Sequence, residues 1–335
     1  FDDVSILDNE TYTICMECGK VMHWNCAEQL RDTKSLSYET RNSCPMCRAT
    51  YVPEGSKEHV ERLQKWSLRN RSWAQFGLGG LYARGLGVKT DLKRAAELWK
   101  LAADQGYHFA QNNLGNMYRK GVGVIQSDTL CFKYYKLCAE QGVANAQTRV
   151  GIYYAEGIGV EQSDTEAFKY YKLAADQGVD VAQYNVGHIY ANGKGVIHSD
   201  ELAFTYYKLS ADQGFADAQH NVGTYCANGT GVEQSDTEAF KYYKLAADQG
   251  LCEAQCRIGI LYAQGKGVIQ SDTLSFKYFQ LSAERSPFAL RSNIKGCREL
   301  REIIEKGSYD AVWTNEPVMG VITRLAASSE PSTRQ

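Results

Sequence analysis

The apolar positions between residues 145 and 180 form two short stretches, each with helical spacing. In the first stretch Ala146, Val150, Tyr153 and Tyr154 recur at intervals of three or four residues. This interval places side chains on one face of an α-helix. The pattern therefore predicts an amphipathic helix that buries a single apolar stripe.

Glycine and polar positions predict where this helix ends and where a second helix begins. Gly157 and Gly159 follow the first stretch, and glycine readily adopts the left-handed conformation that ends a helix. Ser163 stands three residues before Glu166, as in a capping box at a helix N-terminus. The stripe of the second helix is apolar apart from the stem of one lysine, and it comprises Phe168, Tyr171, Lys172 and Ala175.

The same helix pair recurs with a period of 36 residues, in six copies from residue 73 to about residue 288. One pair of this size cannot bury its own apolar face, so neighbouring copies are expected to stack. We therefore predict an all-α fold, an α/α superhelical solenoid of six helix-pair repeats. Each first helix carries a glycine at the same position, namely Gly79, Gly115, Gly151, Gly187, Gly223 and Gly259.

The repeated residues resemble the Sel-one-like repeat, a relative of the tetratricopeptide repeat. The copies follow A-x-x-x-L/V-G-x-x-Y-x-x-G-x-G-V and then D-x-x-x-F-x-Y-Y-K-L-A-A-D-Q-G, over residues 73–288. Two copies depart from the pattern, with Cys226 in place of a tyrosine and Arg285-Ser286 in place of Gln-Gly. The resemblance implies a solenoid that captures partner peptides in the groove lined by its first helices.

Three positions of each first helix are predicted to face this groove, because they lie at i, i+4 and i+7 and vary between copies. Amide, imidazole and guanidinium groups there suit hydrogen bonding to a peptide backbone or to acidic side chains. For any single residue an ordinary solvated surface is an equally good interpretation. The candidate partner-binding residues are Asn112, Asn116 and Arg119 in the second copy, Tyr184 and His188 in the fourth, and His220 in the fifth.

The first 50 residues contain a cluster of possible metal ligands. Two Cys-x2-Cys pairs, Cys15 with Cys18 and Cys44 with Cys47, have the spacing of a tetrahedral zinc site. His23 and Cys26 lie between the pairs. A chance cluster of buried cysteines is the alternative. A zinc knuckle that binds nucleic acid is a second alternative, although Cys26 comes too early for one.

The order of these ligands resembles a RING-type finger, which holds two zinc ions. The resemblance implies one complete site at the two Cys-x2-Cys pairs and half of a second site at His23 and Cys26. The other half is expected upstream of Phe1, so we expect the chain to begin inside its finger. In ubiquitin ligases such a finger docks a ubiquitin-conjugating enzyme, and the resemblance assigns partner contacts to Leu30, Pro45 and Arg48.

Composition and charge limit the classes of function that fit this sequence. The formal charge is −2 and the pI about 6.4, without the basic excess of a nucleic-acid-binding surface. The 11 cysteines form no regular disulfide framework, so we expect a reducing compartment, cytoplasmic or nuclear. No stretch is long and apolar enough to span a bilayer, and no catalytic constellation is visible.

We therefore expect four regions: an incomplete zinc finger (1–52), a helical linker (53–72), the repeats (73–288), and a capping helix with a loosely ordered tail (289–335). The favoured function is a zinc-binding, non-catalytic scaffold or adaptor for protein and peptide partners, without nucleic acid or membrane. The alternative is a RING-type ubiquitin-protein ligase whose repeats select substrates. A nucleic-acid-binding zinc protein is a third possibility.

Overall fold

The computed structural model describes residues 53–285, with side chains for residues 53–282, and two short strands near the N-terminus. Strand β1 (Tyr12–Ile14) pairs antiparallel with strand β2 (Val21–His23). Tyr12 lies opposite His23 and Ile14 lies opposite Val21. The predicted capping helix and tail, residues 289–335, lie outside the described residues.

Residues 53–285 contain thirteen helices and no strand. Their bounds are α1 Lys57–Leu68, α2 Ser72–Arg84, α3 Leu92–Asp104, α4 His108–Lys120, α5 Asp128–Glu140, α6 Ala144–Glu156, α7 Asp164–Asp176, α8 Asp180–Asn192, α9 Asp200–Asp212, α10 Ala216–Asn228, α11 Asp236–Asp248, α12 Cys252–Gln264 and α13 Asp272–Arg285.

The chain divides into two compact units, unit 1 (residues 1–163) and unit 2 (residues 164–335). In unit 1 each of the helices α1 to α6 packs on the next one along the chain. In unit 2 the helices α7 to α13 do the same. Packing of every helix on its sequence neighbours is the architecture of an α/α solenoid, and the predicted fold class is confirmed for the repeats.

The core is built from the positions that recur in every copy. On the first helices Ala110, Leu114, Ala146 and Val150 are at most 1% exposed. On the second helices an aromatic side chain fills the space between the helices of the pair, as Tyr135 does at 0% exposure. Burial of these apolar side chains stabilises the pair by about 1.5–3 kcal/mol for each large residue.

A glycine on each first helix lets the aromatic side chain of the second helix approach. A Cβ added at Gly115 would lie 2.8 Å from Cε1 of Tyr135. The equivalent contacts are Gly79 with Trp99, Gly187 with Tyr207, Gly223 with Tyr243 and Gly259 with Phe279. The recurring glycine of the sequence pattern is therefore a packing requirement within each of these five pairs.

A second glycine brings neighbouring pairs together. Gly159 has a φ of +65°, and a Cβ added there would lie 2.4 Å from the carbonyl oxygen of Asp128, at the start of α5. The preceding pair thus approaches the loop after α6 too closely for any side chain at this position. The G-x-G-V loop serves to stack one pair on the next.

Helix α1 covers the outer side of the first repeat in unit 1. The side chain of Ser56 caps it by accepting a hydrogen bond from the His59 backbone nitrogen at 3.1 Å. Leu63 is 1% exposed and reaches Gly77 of α2. The helix thus packs on α2 in the manner of a second helix from a preceding pair.

Candidate partner-binding face

The outward side chains of the first helices form the candidate site in each unit. We call them the first-helix face. In unit 1 the face comprises Asn112, Asn116, Arg119, Arg149 and Ile152, on α4 and α6. In unit 2 it comprises Tyr184, His188, His220, Thr224 and Arg257, on α8, α10 and α12. All ten side chains are half-buried or exposed.

The unit 1 face is organised around the hydroxyl of Tyr135. That hydroxyl donates a hydrogen bond to Oδ1 of Asn116 at 2.7 Å. Arg119 hydrogen bonds to the same tyrosine, and the guanidinium carbon of Arg149 lies 5.4 Å from the centroid of its ring. Two of the three residues predicted in the second copy, Asn116 and Arg119, therefore meet at one point. Asn112 is half-buried on the same helix.

Burial at this point keeps the hydroxyl of Tyr135 in its neutral form. Burial raises the pKa of Tyr135 to about 12, and the positive charges of Arg149 and Arg119 oppose that rise. Cys131 and the hydroxyl of Tyr153 lie 2.9 Å apart beneath it, both buried. The Cys131 thiol and the Tyr153 hydroxyl thus satisfy each other, whereas Arg119 is exposed and Arg149 is half-buried.

A similar arrangement recurs in unit 2. The hydroxyl of Tyr243 donates to Oγ1 of Thr224 at 2.9 Å, and the ring of His220 lies 5.4 Å from the ring of Tyr243. Burial lowers the pKa of His220, and the nearby charge of Arg257 lowers it further, whereas Glu253 and Asp217 raise it. Nε2 of His220 is buried and has no hydrogen-bond partner within the described residues.

The other two predicted residues of unit 2 have different surroundings. The ring of Tyr184 packs against Tyr207 at 5.6 Å and against Phe215 at 5.2 Å between ring centroids. Much of the Tyr184 side chain therefore packs in the hydrophobic core. His188 is exposed on α8, and burial of part of its ring lowers its pKa.

Sequence reasoning missed Arg149, Arg257 and Tyr135. The two arginines stand one residue after the position of Asn112 in their copies, and the other copies have Gly77, Asn113, Asn185 and Asn221 there. Variation between copies at this position was the available signal. The role of Tyr135 had no signal, because a tyrosine recurs there for packing and only the structure shows where its hydroxyl points.

The predicted finger lies almost entirely outside the described residues. Cys15, Cys18, Cys26, Cys44, Cys47, Leu30, Pro45 and Arg48 are not described, and His23 is described only as the end of β2. Within the described parts of the chain no group of three or more His, Cys, Asp or Glu side chains is placed to hold a metal ion. No helix there is both long and apolar enough to cross a membrane.

Comparison with known proteins gives one family and several similar structures. The family model for the Sel1 repeat, the Sel-one-like repeat of the sequence pattern, matches six consecutive segments, residues 74–107, 108–143, 144–179, 180–215, 216–251 and 252–287. No curated protein sequence matches the chain.

Two solved structures share the fold at similar identity. One is c5321, described as a protective antigen present in uropathogenic Escherichia coli strains and displaying an SLR fold. It is 28% identical with a TM-score of 0.66, over 81% of this chain and 64% of that chain. The other is a Sel1 repeat protein from Oxalobacter formigenes, 29% identical with a TM-score of 0.57, over 68% of this chain and 92% of that chain. The chain thus spans 64% of the length of c5321.

Proposed function

The chain belongs to the Sel1 repeat family, and from this premise we propose that it is an interaction scaffold whose first-helix face binds partner peptides. Sel1 repeat proteins generally bind protein partners. The proposal adds the surface that this chain uses and the residues that line it.

The observation that carries the proposal is the contrast between core and face on the same helices. In the second, third and fifth copies the core position of the first helix is Leu114, Val150 or Val222, at most 1% exposed. Two residues further along, the outward position holds Asn116, Ile152 or Thr224. Packing accounts for the apolar core position, whereas varied polar and apolar chemistry at an accessible position is typical of recognition.

The two cysteines of α5 also support a non-catalytic role for the repeats. Cys131 and Cys138 are buried. Burial raises the pKa of Cys138 to about 12 and also raises that of Cys131. Because the thiolate is the nucleophilic form, these cysteines are unreactive at neutral pH.

Peptide display against the whole chain tests the proposal. Selected peptides should bind the wild-type chain and lose affinity with Ile152→Gln, which changes the first-helix face of unit 1. Leu101→Gln is the matched control, since Leu101 is an apolar residue of the second helix α3 that is 50% exposed. Binding that survives Ile152→Gln and disappears with Leu101→Gln would place the partner on the second helices and contradict the proposal.

We also propose that residues 15–47 bind zinc. The proposal is supported by the donor set, four thiols in two Cys-x2-Cys pairs, and by the pairing of β1 with β2 on either side of Cys15 and Cys18 in the sequence. Such thiolates hold zinc tetrahedrally and stabilise the surrounding fold. Metal analysis of the purified chain should give zinc that depends on Cys44 and Cys47, and a metal-free chain would contradict the proposal.

Ubiquitin-ligase activity is the second candidate function, favoured by Cys44-Pro45-x-Cys47-Arg48. In this case the finger would recruit a ubiquitin-conjugating enzyme and the repeats would select the substrate. A ubiquitination assay with purified components separates the two functions. Chain formation that requires Pro45 and Arg48 would support the ligase, and its absence with a panel of conjugating enzymes leaves the scaffold.

A further inference from the structure

Two guanidinium groups on the unit 1 face have no carboxylate partner within residues 53–282. Both contact Tyr135, and the charge of Arg119 also acts on Cys131 and Tyr153. Three other arginines of the unit do have carboxylate partners, since Arg62 pairs with Glu58, Arg84 with Glu54 and Arg94 with Glu97. An unpaired arginine held against a ring is a strong and directional donor for a carboxylate, because its planar fork matches the two oxygens.

The surrounding charge favours an anionic ligand. The first helices of unit 1 carry the positive side chains Arg84, Arg119, Lys120 and Arg149, against the single carboxylate of Glu156. The first helices of unit 2 carry Asp180, Asp217 and Glu253 against the single positive charge of Arg257. The first helices of the two units therefore differ in the sign of their net charge, and those of unit 1 are the better complement of a negative partner.

Tyr135 holds the donors in place before a ligand arrives. Its ring supports Arg149 at a distance typical of a cation–π contact, and its hydroxyl orients Asn116 by donating to Oδ1. The amide Nδ2 of Asn116 then has no acceptor within the described residues. Groups fixed in this way lose little conformational entropy when they bind.

Resting on the proposed function, we propose that this face binds an acidic peptide segment, with an aspartate or glutamate carboxylate paired to Arg119 and Arg149. Nδ2 of Asn116 donates a further hydrogen bond to the ligand. The equivalent arginine of unit 2, Arg257, has Glu253 and Asp217 close to its neighbour His220, so it offers no such site.

A fluorescence anisotropy titration of the whole chain with fluorescein-labelled octaglutamate tests the proposal. The chain has a formal charge of −2, so its overall charge does not attract this probe and binding must come from a local cluster. Octaserine with the same label controls for binding of the dye or of the peptide backbone. We expect octaglutamate to bind and octaserine not to bind, with an affinity that decreases as salt is added.

Substitutions locate the binding. Arg149→Gln and Arg119→Gln should each weaken octaglutamate binding about tenfold, as expected for the loss of a charge-assisted hydrogen bond. Two controls remove one positive charge elsewhere and should leave the affinity unchanged: Arg257→Gln in the same register of unit 2, and Lys93→Gln on α3. Far-UV circular dichroism checks that each variant is folded. Arg119 is exposed, so Arg119→Gln should fold and can test the site even if Arg149→Gln does not fold.

The inference is wrong if octaglutamate does not bind, or if it binds and all four variants weaken it equally. Its failure differs from failure of the proposed function. Display-selected peptides that are not acidic and that depend on Ile152 would overturn the acidic specificity and leave the scaffold in place. Display-selected peptides that are insensitive to Ile152, Arg119 and Arg149 would overturn both.

Discussion

Gln141 donates a hydrogen bond from Nε2 to Oε1 of Gln111 at 2.7 Å, and so joins the two helices of one pair, α4 and α5, in unit 1. Gln111 is buried, and its own Nε2 donates to the backbone oxygen of Ala103 at 3.3 Å. The same link joins Gln105 to Gln75 in unit 1, and Gln213 to Gln183 and Gln249 to Gln219 in unit 2.

The last repeat lacks this link in the described part of the chain. Oε1 of Gln255 is buried without a hydrogen-bond partner there. The residue 30 positions later, where the other copies have the donating glutamine, is Arg285. The departure at Arg285-Ser286 therefore coincides with the end of the glutamine series.

Removal of one glutamine from this series should destabilise unit 1. Gln111→Ala deletes the acceptor of Gln141 and the buried donor to Ala103, so we expect a loss of about 1–3 kcal/mol in the free energy of unfolding. Gln126→Ala, at an exposed loop position, should change it by less than about 0.5 kcal/mol. Urea unfolding followed by circular dichroism compares the two, and equal effects would show that the buried pair contributes nothing.

Adjacent glycines of α2 should respond to alanine with opposite signs. A Cβ at Gly79 would lie 2.6 Å from Nε1 of Trp99, which donates to the backbone oxygen of Phe76 at 3.0 Å. Gly79→Ala should therefore destabilise by about 1–3 kcal/mol. A Cβ at Gly80 meets nothing closer than a flexible Arg84 nitrogen at 3.9 Å. Gly80→Ala should stabilise by about 0.4–1 kcal/mol, by restricting the unfolded chain. Thermal melting of both variants tests these two expectations. A shift of the melting temperature in the same direction for both variants would contradict this packing.

Substitutions at two loop glycines distinguish the cost of a left-handed backbone from the cost of a steric contact. Gly142 and Gly159 both have positive φ, +87° and +65°, but only Gly159 would place a Cβ against its neighbour, Asp128. Gly142→Ala should cost about 1–2 kcal/mol for the left-handed conformation. Gly159→Ala should cost about 1–3 kcal/mol more, because it also separates two stacked pairs. If chemical denaturation gives the two variants the same stability, the loop does not hold the pairs together as described.

The stability of unit 1 should fall on acidification because of His59. Its Nδ1 accepts a hydrogen bond from the Gly55 nitrogen at 3.0 Å. Burial lowers the pKa of His59 below 6.5, Glu54 opposes this, and Arg84 and Arg62 lower the pKa further. The unfolded chain therefore gains this proton at higher pH than the folded chain. The contribution is complete above about pH 6.5 and is lost as the pH falls toward the lower folded pKa.

The melting temperature between pH 7.5 and pH 5 measures this effect. We expect His59→Gln to flatten the pH dependence compared with the wild-type chain. Some dependence should remain, since burial also lowers the pKa of His108, His188 and His220. A variant with the same pH dependence as the wild type would exclude His59 as a contributor.

The fold of the repeats could be predicted from the sequence because the residues that recur with the repeat period are the ones that pack in the core. The stripe predicted at Ala146, Val150, Tyr153 and Tyr154 is buried, and Gly157 ends α6 in the left-handed conformation. Local spacing determines which face of a helix is apolar, and stacking of identical units follows from it.

The arrangement of the first-helix face was only partly predictable. Spacing on α4 identified Asn116 and Arg119, but their meeting point depends on how far the Tyr135 side chain reaches from α5, and helical periodicity does not contain this distance. Tyr184 has different surroundings, since this position on the outward stripe holds a ring long enough to pack on Phe215. Side-chain reach between helices, rather than position on a helix, decides these contacts.

Site-specific photo-crosslinking most directly tests whether partners bind the first-helix face. A benzophenone side chain is placed at position 152 on α6, or at position 101 on α3 as the control, in the whole chain with a display-selected peptide. We predict crosslinks to the peptide from position 152 and none from position 101. Crosslinks from position 101 alone would contradict the account.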